Sequence, residues 1–156
     1  MNKKFAIILI SVLAVIAAVL MIVFSKGGKT YDIPAIENFF TRGYQEEGLR
    51  VMDFIDVQTM FGMSVADLEE YTFMTNIVDQ DENLFDDMLV VLIKSEDDNI
   101  FDILSSHIEA KKMNTSVKEE IEFYDTVIIK RNKEYVYLLL GSDTKLLEKE
   151  LNAYYK

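Results

Sequence analysis

The apolar positions divide the chain into two unlike parts. From Phe5 to Phe24 run twenty residues without charge, Ser11 being the only hydroxyl among them. At about 1.5 Å rise per residue a helix of this length spans roughly 30 Å, the thickness of a bilayer's hydrocarbon core. Fourteen of the twenty are Ile, Leu, Val or Phe, and at mid-membrane values their summed insertion preference is about −4 to −8 kcal/mol. The segment therefore reads as a membrane helix. Lys3 and Lys4 before it and Ser25-Lys26-Gly27 after it also fit a cleaved signal peptide, but the run exceeds the ~7 to 15 apolar residues of such peptides, which favours an uncleaved signal anchor. Residues 1–29 form this anchor and a short tether, and residues 30–156 form a separate domain.

Within that domain the period switches several times. Asp32 is placed to cap a helix whose apolar residues Ile36, Phe39, Phe40 and Tyr44 share one face, with Pro34 in its first turn. Asp56 to Tyr71 reads as two short helical turns broken at Gly62, the second capped by Ser64 with Leu68 inward. Tyr71 to Val78 and Met88 to Ile93 are β-branched and apolar runs too short for helices, joined by a polar turn over 79–83. Asp97 or Asp98 then opens a helix to about Lys112, with acids at its start and lysines at its end, as the helix dipole favours. Its inward residues are Ile100, Ile103, Leu104, His107 and Ile108.

Asn114 to Phe123 is a further helical piece. Thr126 to Arg131 and Glu134 to Leu140 are strands of a hairpin around Asn132-Lys133, and Gly141-Ser142-Asp143 leads into a last helix with Leu147, Leu151, Tyr154 and Tyr155 on one side. These elements predict an α+β fold: an N-terminal transmembrane helix, then a two-layer domain with a mainly antiparallel sheet of about four strands and helices packed on one face.

Charge sharpens the division. The chain carries a net −11, yet residues 1–29 contain four lysines and no acid, which leaves −15 on residues 30–156. So acidic a domain is repelled by phosphate backbones, and no nucleic acid partner is expected. The chain has no cysteine, so the domain must fold on its core alone and has no thiol to carry a lipid.

The run Phe61-Gly62-Met63-Ser64-Val65-Ala66-Asp67-Leu68-Glu69-Glu70-Tyr71, then Asp86-Asp87-Met88 leading a strand to Lys94, then Glu134-Tyr135-Val136, resembles a family of small extracytoplasmic proteins of Gram-positive bacteria, mostly lipoproteins, known as domain of unknown function 4358. The resemblance covers residues 50–141 and is one of fold pattern. It implies an envelope location in a Gram-positive cell and supplies no functional residue. The chain departs from the family's pattern in lacking a lipobox cysteine, in having the shorter Met113 to Tyr124 where the family has a Tyr-x-Pro segment, and in Lys133-Glu134 where the family has a glycine.

Candidate chemistry is sparse. Gly28-Lys29-Thr30 mimics the end of a phosphate-binding loop, but Val23 stands where the first glycine belongs and no strand precedes it. Asp79, Asp81, Asp86 and Asp87 form a weak calcium candidate, lacking both the glycine of a calcium loop (Leu84) and its closing glutamate (Val90). A solvated acidic turn is the plainer reading. His107 is the only histidine, and with no cysteine the usual zinc sets are excluded. Ser105 and Ser106 are too near His107 in sequence to face it from the same helix. Met52, Met60, Met63 and Met74 have the softness that Cu(I) favours, but alternate with Phe54, Phe61 and Phe73 as core residues do. Tyr124, Tyr135, Tyr137, Tyr154 and Tyr155 suit an interface or, more simply, core packing.

No catalytic residue, cofactor or firm metal site emerges. The expectation is a non-enzymatic binding or assembly module tethered in the bilayer through Phe5 to Phe24, N-terminus in and domain outside, with a protein partner in the envelope. The alternatives are a small carboxylate-dependent hydrolase of an envelope polymer, and a single-span accessory subunit using the stripe Ser11, Ala14, Ala17 and Ala18.

Overall fold

The computed structural model describes residues 29–66, 68–77 and 87–156. The chain divides into a folded unit, Tyr31–Tyr155, and a second unit, Met1–Thr30 with Lys156. Among the described residues no helix is long and apolar enough to cross a membrane. The segment Phe5–Phe24, with its stripe Ser11, Ala14, Ala17 and Ala18, lies outside them.

The folded unit runs α1 (Ile33–Gly43), β1 (Arg50–Val51), α2 (Phe54–Phe61), β2 (Tyr71–Thr75), β3 (Leu89–Lys94), α3 (Asp98–Asn114), α4 (Lys118–Asp125), β4 (Ile128–Asn132), β5 (Tyr135–Leu140) and α5 (Thr144–Asn152). Acidic caps start four of the five helices among the described residues: Asp32, Asp53, Asp97 and Asp143 each accept a hydrogen bond from a backbone N–H of the first turn, at 2.9–3.2 Å. Val117 stands at the start of α4 without a side-chain cap bond.

The five strands form one antiparallel sheet in the order β1-β2-β3-β5-β4. The expected sheet of about four strands gains β1, held by its pairing of Arg50 with Thr75 and Val51 with Met74. The expected strand over Tyr71 to Val78 ends at Thr75, whose hydroxyl donates to the Met88 carbonyl (3.0 Å) and accepts from Ile77 N–H (3.1 Å), turning the chain out of the ladder. The helical turns expected over Asp56 to Tyr71 are a single helix that begins earlier, at Phe54, and stops at Gly62 in the left-handed conformation (φ 66°). Ser64 starts no helix; its hydroxyl accepts from Ala66 N–H in a turn.

The largest correction concerns the layers. Helices cover both faces of the sheet, so the domain has three layers, helices–sheet–helices, where two were expected. On one face Leu89, Val91, Ile93, Val136, Leu138 and Leu140 pack with Val57 and Phe61 of α2, Ile100, Leu104 and Ile108 of α3, and Phe123 and Tyr124 of α4. On the other, Val90, Leu92, Tyr135, Tyr137 and Leu139 pack with Ile36 and Phe40 of α1 and Leu147 and Leu151 of α5. The physical reason lies in β3 and β5. Their side chains alternate between faces but are apolar or aromatic on both, and a strand with two apolar faces has to be covered twice.

Candidate binding cleft

The face covered by α2 and α3 is not sealed along its whole length. Between these helices and the edge of the sheet lies a cleft of about 540 Å³. Arg50 of β1, Met52 just after it, and Thr75 and Ile77 at the end of β2 supply one side. Asp56, Thr59 and Met60 come from α2, and His107, Ala110, Lys111 and Asn114 from α3. Spacings of three and four place the residues of each helix on a single stripe. The cleft is thus lined by apolar Met52, Met60, Ile77 and Ala110 together with hydroxyl, amide, imidazole and cationic groups.

Its charges are arranged unusually for so acidic a domain. Arg50 Nη1 lies 3.0 Å from Asp56 Oδ2, and Asp56 is the only carboxylate in the described lining. Lys111 is half-buried and has no ion pair among the described residues. Its neighbour Lys112, by contrast, is held by Asp125 at 2.8 Å and Glu109 at 3.3 Å. His107 packs its ring 4.7 Å from that of Phe61. Burial lowers its pKa from the ordinary histidine value and the Lys111 charge adds to this, against a smaller opposing pull from the Met60 carbonyl. The imidazole is therefore neutral at pH 7 and retains a lone pair. On its far side a shallower groove is lined by Phe61, Asn99, Asp102, Ile103 and Ser106.

Other candidates fall elsewhere. Asp79, Asp81 and Asp86 lie outside the described residues; Asp87 is half-buried, and its charge helps to raise the pKa of the buried Tyr124. Among the described residues no group of three or more His, Cys, Asp or Glu is placed to hold a metal. Met52 and Met63 belong to the core under α2 and α3, Met60 packs against that core, and Met74 is buried on the opposite face, so the four thioethers do not converge. Tyr124, Tyr135 and Tyr137 are buried, which leaves Tyr154 and Tyr155 as the partly exposed members of the tyrosine set.

Arg50, Asp56, Thr59, Lys111 and Asn114 were not singled out from the sequence. The detectable signal was the polar stripe His107, Lys111, Asn114, at spacings of four and three on a helix whose other side is apolar. Searches against protein families, characterised proteins and solved structures find no match to this chain.

Proposed function

We propose that this chain is a non-enzymatic binding module of the bacterial cell envelope, anchored by Phe5 to Phe24 with its acidic domain outside the cytoplasm, and that it recognises its ligand in the cleft between α2 and α3. The observation that carries the reading is the cleft itself: a concavity lined by apolar side chains, a few polar groups and a histidine of shifted pKa has the usual composition of a small-ligand site. The envelope location is supported by the twenty-residue apolar segment, and by the resemblance to extracytoplasmic proteins of Gram-positive bacteria. The hydrolase alternative needs two facing acids, and Asp56, the one acid of the described lining, is engaged by Arg50.

The absence of native cysteine makes a direct test available. In Met113→Cys the new thiol replaces a side chain that is 84% exposed, and in Thr59→Cys it sits in the cleft. A membrane-impermeant maleimide should label both in intact cells. A dialysable envelope extract should slow labelling of purified Thr59→Cys and leave Met113→Cys unchanged. Labelling only after lysis would contradict the location, and equal rates at both cysteines with and without extract would contradict recognition in the cleft.

A further inference from the structure

Resting on the cleft as the binding site, we infer that it takes a small monocarboxylate with a short apolar body, the carboxylate held by Lys111 and Arg50 and the body against Met52, Met60, Ile77 and Ala110. The two cations of the lining outnumber its one carboxylate by one, inside a domain whose net charge is strongly negative. An anion entering the cleft therefore meets a locally favourable field, whereas a cation would be repelled there and drawn to almost any other surface of the domain.

Lys94, Lys112 and Lys130, side chains in the same size class, are each held by a carboxylate at 2.7–2.8 Å. Lys111 is also half-buried and lacks such a partner among the described residues. Its charge is therefore not neutralised by a fixed carboxylate there, and an anion in the cleft can pair with it. Arg50 adds a planar donor that retains N–H groups beyond the one given to Asp56.

One excess positive charge matches a carboxylate; a phosphate dianion would leave a negative charge uncompensated beside the apolar lining. Thr59 and Asn114 at the rim, and the neutral His107, supply donors and acceptors for a polar substituent on the ligand.

The test uses the full chain in detergent micelles and three probes with one tail: butyrate, butanol and butylamine. His107 is the only histidine and borders both the cleft and the shallower groove beside it, so its ring resonances report binding at either, the Lys111 variants assign that binding to the cleft, and titrating each probe gives its affinity. Butyrate should shift those resonances and bind at least about tenfold more tightly than the neutral or cationic analogue, as expected for a charge-assisted hydrogen bond. Binding should weaken with rising salt, should fall about tenfold in Lys111→Gln, and should persist in Lys111→Arg. If butanol or butylamine matches butyrate, or Lys111→Gln changes nothing, the carboxylate assignment is overturned and the cleft stands as a site for another ligand class. If no probe moves the His107 resonances, the cleft reading fails as well.

Discussion

Neighbouring residues of β5 show how differently the two faces of the sheet are finished. Val136 and Leu138 point to the α2–α3–α4 side, where a mainly aliphatic and aromatic core ends in an open cleft. Tyr135 and Tyr137 point to the α1–α5 side, where the phenols carry hydrogen bonds to the edge of the core. Tyr135 OH donates to Glu70 (2.6 Å), which Lys94 also holds at 2.7 Å; Tyr137 OH donates to Glu148 (2.6 Å), which Lys130 holds at 2.7 Å. Tyr44 OH donates to Glu150 and Tyr31 OH to Asn152, both at 2.7 Å, tying α1 and the entry of the chain to α5. On this side each of these polar groups has its partner within the fold, and the arrangement is structural. On the cleft side Lys111 has no ion pair among the described residues, and that is where a bound anion would add stabilisation by mass action.

The comparison can be broken most forcefully in the core. Leu138 and Leu139 are adjacent, fully buried, and on opposite faces. Leu138→Ala and Leu139→Ala should each cost about 2–5 kcal/mol in denaturant unfolding, because each leaves a cavity in a packed layer. A near-neutral result for either would mean that its face is not covered and that the two-layer arrangement was right.

A smaller effect sharpens the structural face. Glu148→Gln should cost about 1–2 kcal/mol near neutral pH, since it weakens charge-assisted hydrogen bonds from both Lys130 and Tyr137 at a site that is only partly shielded. The same network gives the stability curve its limbs. Glu70 and Glu148 titrate below the ordinary value of 4.5, in each case because of the lysine first and the tyrosine second. Their contribution is therefore present above pH 4.5 and is lost as pH falls through their lower folded values. Tyr135 and Tyr137 titrate above the ordinary value of 10.0, through burial first and the adjacent glutamate second, so stability should fall as pH rises beyond 10.0. Glu148→Gln should flatten the acid limb measured by thermal melting; an unchanged limb would detach Glu148 from it.

The smallest stability effect belongs to the cleft. Lys111→Gln should change unfolding free energy by less than about 0.5 kcal/mol, since no ion pair is lost, and should raise the His107 pKa by removing one of the two causes that lower it. A large loss of stability with no change in the histidine titration would give Lys111 a structural role and remove the contrast between the faces.

Much of this fold was legible in the sequence because its signals are local. The caps Asp32 and Asp97, the β4–β5 hairpin and the amphipathic stripes of α1, α3 and α5 each sit within a few residues, whereas Asp53, the cap of α2, was missed because that helix was expected to begin at Asp56. The continuous apolar runs at Met88 to Ile93 and Tyr135 to Leu140 also carried the third layer, since a strand apolar at every position has no solvent face. Reading tyrosine as a half-polar residue hides this, because Tyr135 and Tyr137 bury their rings and spend their hydroxyls on Glu70 and Glu148. β1 was not legible: two residues show no period, and its place depends on partners more than twenty positions away. The cleft was legible only in fragments, as a polar stripe on α3 and another on α2. What unites them is the crossing of those helices over the sheet edge, which no short window contains.

Backbone-amide shift mapping of the isotope-labelled full chain with butyrate tests the central claim most directly. The account predicts shifts at Thr59, Met60, His107, Lys111 and Asn114, and none at Glu148 or Asn152 on the opposite face. Shifts centred on α1 and α5, or spread evenly over both faces, would contradict the assignment of recognition to the cleft.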